Sequence, residues 1–181
     1  MATPPDFSSG AVLTAAQMNA VGLWLVKTQT IGSAVASVTV TDAFSADYDN
    51  YKVVITGGVS SSAFASLNLT FGATVTGYYR TGFYMVAPGL GLTGFADQNV
   101  ASITAAGTGT ASSLLMNADI YTPFLAKPTG VKSDTQRQTA NSAAFWIQGF
   151  LDNTTSYTGF TLTVSSGTIT GGTIRVYGVR N

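Results

Sequence analysis

The chain has 181 residues with no histidine, cysteine or glutamate, and its eight aspartates balance eight lysines and arginines to a formal net charge of zero. Most side chains used for proton transfer, metal ligation and thiol chemistry are therefore missing, and no disulfide framework can form. Charged residues make up 9% of the chain, against about 25% in ordinary soluble domains. Lysine and arginine are spread singly, so no field attracts a phosphate backbone and nucleic acid is excluded as an expected partner.

Residues 1–10 contain Pro4, Pro5 and Gly10, which block helix and sheet interiors and predict an extended arm. Thr14 precedes Gln17 at capping-box spacing, and the run from 15 to about 27 carries good helix formers. Val12, Leu13, Ala16, Ala20, Leu23 and Trp24 recur at helical steps, predicting a short amphipathic helix weakened by Gly22. Its apolar stripe either packs on its own domain or anchors the chain to a neighbour; Phe7, Val12, Leu13, Leu23 and Trp24 are the expected attachment or oligomer contacts. The most apolar window, 11–26, is interrupted by Thr14, Gln17 and Asn19. It falls short of the roughly 18 apolar residues of a membrane span. It also lacks the marks of a signal peptide. A soluble chain without membrane insertion or its own secretion signal is expected.

From Ile31 onward the apolar residues recur with period two. Val38 and Val40 alternate with Thr39 and Thr41, and Tyr51, Val53 and Ile55 with Lys52, Val54 and Thr56. Leu67, Leu69 and Phe71 follow the same pattern, as do Phe160, Leu162 and Val164. These read as half-buried strands, with further candidates over 78–86, 113–121, 143–151 and 173–179. Gly57-Gly58, Pro88-Gly89, Gly107-Thr108-Gly109, Pro128-Thr129-Gly130 and Ser165-Ser166-Gly167 supply turns. Residues 165–172 are expected to close a terminal hairpin between strands at 159–164 and 173–179. Roughly eight short strands and no helix beyond Lys27 predict an all-β, antiparallel sandwich or jelly-roll-like domain over 31–181, preceded by the arm and helix at 1–30.

The aspartates are placed as turn formers: Asp47, Asp49 and Asn50 precede one strand, and Asp152 and Asn153 follow another. Asp97, Asp119 and Asp134 remain as candidates for carboxylate chemistry, but no spacing pairs them as a glycosidase would require. Asp119 is expected on the outward face of a sheet. Residues 47–50 lack the glycine and distal acid of a calcium loop. No enzyme activity, metal or cofactor is expected. Aromatic residues are plentiful, and Tyr78, Tyr79, Phe83 and Tyr84, with Tyr121, are candidates for a surface that stacks on sugars or anchors a protein partner. Trp146 is expected on the face opposite the core residues Phe145 and Ile147.

Residues 7–19 (FSSGAVLTAAQMN), 43–52 (AFSADYDNYK) and 171–178 (GGTIRVYG) resemble small virion proteins of tailed bacteriophages, variously minor tail, tail fibre or virion structural proteins. Residues 74–141 carry no such likeness. The resemblance implies a β-sandwich displayed on a virion as a homotrimer, held to other virion proteins through its N-terminal arm and helix. A tail-associated protein that binds a host glycan or surface protein is the first expectation, and a capsid decoration protein the alternative. No catalytic residue is carried by these motifs.

Overall fold

The computed structural model describes Val12 and residues 22–62, 64–89, 91–107, 114–137 and 142–179. Among these, fourteen strands and no helix occur: β1 (Leu23–Thr30), β2 (Ser37–Val40), β3 (Asn50–Thr56), β4 (Val59–Ser60), β5 (Ser66–Phe71), β6 (Tyr78–Val86), β7 (Leu92–Val100), β8 (Ile103–Gly107), β9 (Met116–Tyr121), β10 (Thr129–Arg137), β11 (Ala143–Leu151), β12 (Phe160–Val164), β13 (Ile169–Thr170) and β14 (Thr173–Val179). Eight form one sheet in the order β1-β14-β3-β9-β10-β11-β6-β7, four form a second ordered β2-β12-β5-β8, and β4 pairs with β13 as a ribbon. The fold is all-β and antiparallel, as the alternation predicts.

Period-two patterning sends one side of each strand into a shared core. Tyr51, Val53 and Ile55 of β3 and Ile174 and Val176 of β14 are buried on the eight-stranded sheet, opposite Leu67, Leu69 and Phe71 of β5 and Phe160 and Leu162 of β12. Phe44 links the layers, its ring centroid 4.8 Å from Tyr51 and 5.7 Å from Phe160. The Tyr51 hydroxyl accepts the Ser45 N–H at 2.7 Å and donates to the Ser45 carbonyl at 2.9 Å, so the polar tip of a buried ring is satisfied. At the far side β8 packs across β10 and β11. Ser133 of β10 donates there to the Ala105 carbonyl, tying the sheets together through a buried hydroxyl.

Three expectations change. The helix expected to reach about Lys27 is replaced over Leu23–Thr30 by β1, which pairs with β14 from Leu23↔Val179 to Thr30↔Thr173. The free edge of β14 offers a full ladder of backbone partners, whereas a helix here would carry Gly22, whose φ is 92°. Residues 13–21 lie outside the described residues. Secondly, β12 and β14 are not a terminal hairpin: β12 joins β2 and β5, while β14 joins β1 and β3 in the other sheet. The segment between them crosses layers and contributes β13. Thirdly, Thr129 and Gly130, expected in a turn, open β10.

Tyr78 begins β6 with no exposed surface; its hydroxyl accepts the Phe71 N–H at 2.7 Å. Burial pushes its pKa up from 10.0 to about 12, because the phenolate would lose its hydration. A group whose folded pKa exceeds its unfolded value leaves stability intact below the unfolded pKa and erodes it above. Stability is therefore expected to be flat up to pH 10 and to fall between pH 10 and about 12, by an amount on the order of 2–3 kcal/mol. Denaturant midpoints measured across that range check this, with Tyr78→Phe reducing the alkaline limb to what Tyr51, whose pKa burial also raises, contributes. An unchanged limb in that variant would remove Tyr78 as its source.

Candidate functional site

Alternation along β6 divides the four aromatics expected at the surface. Tyr78 is a correction: it lies in the core, and Tyr84 on the same side is half-buried with its ring stacked on Phe145 at 5.5 Å. Tyr79 and Phe83 point the other way, onto the outer face of the eight-stranded sheet. The strand pairings carry that face across five strands in four rows.

In the first row Tyr121, Gly130, Phe150 and Tyr79 are direct cross-strand neighbours. The second runs Asp119, Lys132, Gln148, Thr81 and Ala96, and the third Asn117, Asp134, Trp146, Phe83 and Gly94. Gln136, Ala144, Met85 and Leu92 supply the fourth. Phe150 stacks on Tyr79 with centroids 5.1 Å apart and planes 10° off parallel, and Trp146 stacks on Phe83 at 5.0 Å and 26°. Such cross-strand aromatic pairs stabilise a sheet locally by about 0.5–1.5 kcal/mol each. Tyr121, Phe150, Trp146, Phe83, Met85 and Leu92 are each at least 36% exposed, which gathers large apolar side chains on one solvent-facing surface.

A shallow groove of about 580 Å³ lies over the first two rows, bounded by Tyr79, Tyr121 and Phe150 with Lys132, Gln148 and Thr81 on its floor. A second depression of about 450 Å³ lies beside it, against Asn117, Asp134 and Trp146. Among the described residues the Gln148 amide has no hydrogen-bond partner, so it is free to bond a ligand.

Each leftover aspartate faces a cation. Asp119 pairs with Lys52 at 3.0 Å, Asp134 with Lys132 at 3.7 Å and Asp97 with Arg80 at 2.8 Å. Asp119 is partly exposed on the outer face, as expected. Arg80 turns to the inner side, lies over the Phe95 ring at 5.7 Å and also donates to Thr104, whose hydroxyl donates to Asn68 at 3.1 Å. That chain braces β7, β6, β8 and β5 at one end of the layers. No cluster of three His, Cys, Asp or Glu able to hold a metal occurs among the described residues.

Of the expected attachment residues, Val12 is 87% exposed and Leu23 51% exposed on edge strand β1, while Trp24 is half-buried. Phe7 and Leu13 lie outside the described residues. Sequence reading found Tyr79, Phe83 and Tyr121 and placed Trp146 on the outer side, but it missed Phe150 and Gly130. Strand alternation in β11 carried the signal for Phe150, which is four residues from Trp146 and therefore on its face. The position of Gly130 could not be read without the register of β10. Comparison with protein-family models, curated proteins and solved structures finds no match to this chain.

Proposed function

We propose that the chain is a structural protein of a tailed-phage particle: a tail-associated, trimeric β-sandwich that performs no catalysis and meets the host surface through the outer face of its eight-stranded sheet. The observation that carries this reading is how the fold distributes the phage-like segments. Residues 43–52 and 171–178, far apart in the chain, are brought together: β14 pairs with β3 through Gly178↔Tyr51 and Tyr177↔Lys52, and Tyr48 packs over Gly178. The exposed aromatics of the outer face sit elsewhere, Phe83 on β6 and Tyr121 on β9 within the stretch without likeness to phage proteins, and Trp146 and Phe150 on β11 just beyond it. Such a division, with phage-like segments gathered on β3 and β14 and the exposed aromatics on other strands of the same sheet, is expected of a module that attaches through one part and binds through another. Edge strand β1, with Leu23 and Leu25 exposed, lies at the attachment end of the sheet, and β7 lies at the other.

Mass spectrometry of purified particles, with labelled antibodies and electron microscopy, tests this reading. The protein is expected in particles at the copy number of tail components and at the tail, and particles lacking it are expected to adsorb poorly. Shell-level copy number with label over the head would move it to capsid decoration, and absence from particles would overturn both.

A further inference from the structure

The groove over Gly130 has a composition that selects one kind of ligand. We infer that it binds a neutral carbohydrate chain; the inference rests on the reading of this face as the host-facing side and names what that face recognises. Four features carry it.

First, polar and aromatic rows alternate. Lys132, Gln148 and Thr81 form a strip with the Tyr79–Phe150 pair on one side and the Phe83–Trp146 pair on the other. Adjacent rows are two residues apart along the strands, about 7 Å. A pyranose offers polarised C–H groups that suit the negative face of an aromatic ring and hydroxyls that require donors and acceptors beside it. Sugars laid along this face meet both at the spacing the pleat provides.

Second, the order of polarity is the reverse of a protein-protein patch. Contacts between chains place apolar residues at the centre and polar ones at the rim. Here the polar strip runs through the middle, so a second copy of this chain would bury Lys132 and Gln148 in the centre of the contact, at a desolvation cost.

Third, the charges cancel. On the outer face Lys52 and Lys132 face Asp119 and Asp134 one for one, and Arg80 on the inner side is matched by Asp97. No net field draws a polyanion, which favours a neutral glycan over a phosphorylated or sulfated one.

Fourth, the strand that would otherwise fill the groove carries a glycine. A Cβ at Gly130 would sit 3.3 Å from the Tyr121 ring, so a side chain there would push against that ring and stand in the groove that Gly130 lines. Polar side chains converging on an aromatic-lined depression are the general form of a small-ligand site.

The full-length protein is tested on an array carrying glucose and N-acetylglucosamine oligomers together with sialylated, sulfated and phosphorylated glycans, and affinities are then measured by titration calorimetry. Binding to neutral oligomers is expected, weakened about tenfold or more by Tyr79→Ala or Phe150→Ala. Gly130→Val should abolish it by filling the groove, and Val75→Ala, on an exposed loop elsewhere, should leave it unchanged. Melting curves confirm that each variant is folded. Binding confined to the anionic glycans, binding to none, or full affinity in the Phe150→Ala variant overturns the inference. So does self-association in sedimentation that Phe150→Ala abolishes, because the face would then belong to a second copy. A protein found in particles that binds no sugar loses only this inference, whereas one that binds sugar yet is absent from particles loses the virion reading instead.

Discussion

Phe71→Ala is expected to destabilise the protein by about 3–5 kcal/mol, a large part of the roughly 5–15 kcal/mol that holds a domain together. Phe71 ends β5 with no exposed surface, its ring 5.5 Å from Tyr157 and 6.3 Å from Phe44, beside its register partner Phe160. Those neighbours come from β12, from the loop before it and from the loop between β2 and β3, so no single element can move to fill the space the ring leaves. Removing it forfeits the transfer energy of a buried aromatic and leaves a cavity that a closely packed interior relaxes only in part. The backbone of Phe71 is also fixed, since its N–H is held by the Tyr78 hydroxyl. A fall in melting temperature of roughly 6–20 °C follows for a chain of this size. Phe150→Ala is the matched comparison, because its ring is 41% exposed on the opposite face of the other sheet. Its cost should stay near or below about 1 kcal/mol. Equal denaturant midpoints for the two variants would show that the division into core face and outer face is wrong.

How much of this was legible in the sequence follows from how each strand is used. β3, β5, β6, β11 and β14 have one side buried and one side wet, so their side chains alternate and their positions could be read almost to the residue. β1 and β7 are sheet edges, where both sides meet solvent; Leu23 and Leu25 are exposed while Val26 is only half-buried at a bulge, and no clean period survives. That irregularity, with good helix formers, is what made β1 look helical. β8 is built of Ala105, Ala106 and Gly107 because it presses on the other sheet. A Cβ on Gly107 would overlap the Phe145 ring, so small residues are required where β-propensity is low. β10 hides a serine at a core position: Ser133 looks like a surface residue until its bond to Ala105 is known. The candidate site was half legible for the same reason. Single strands revealed which aromatics share a face, but the groove exists only in the register of β9, β10, β11 and β6, which pairs Gly130 with Tyr121 and Phe150.

Gly58→Ala is expected to cost as much as the loss of Phe71, about 3–5 kcal/mol, or to prevent folding outright. β3 runs into β4, and β13 into β14, through facing glycine pairs: Gly57 and Gly58 have φ of 75° and 74°, Gly171 and Gly172 of 68° and 93°. At this point the β3–β14 pair leaves the eight-stranded sheet and continues as the β4–β13 ribbon. Two penalties combine at Gly58. A side chain in the left-handed region costs roughly 1–2 kcal/mol. Its Cβ would also stand 2.1 Å from the Gly171 carbonyl oxygen, a backbone atom that no rotamer change can move aside. The backbone cannot retreat easily either, because the Gly58 carbonyl accepts the Leu114 N–H and Gly171 donates to the Gly32 carbonyl. Gly22→Ala separates the two terms, since its φ is also positive but nothing lies within 4 Å of the added carbon. That variant should lose only about 1–2 kcal/mol in denaturant unfolding. If Gly58→Ala loses no more than Gly22→Ala, the close crossing of the two glycine turns is not what bends this strand pair between the layers.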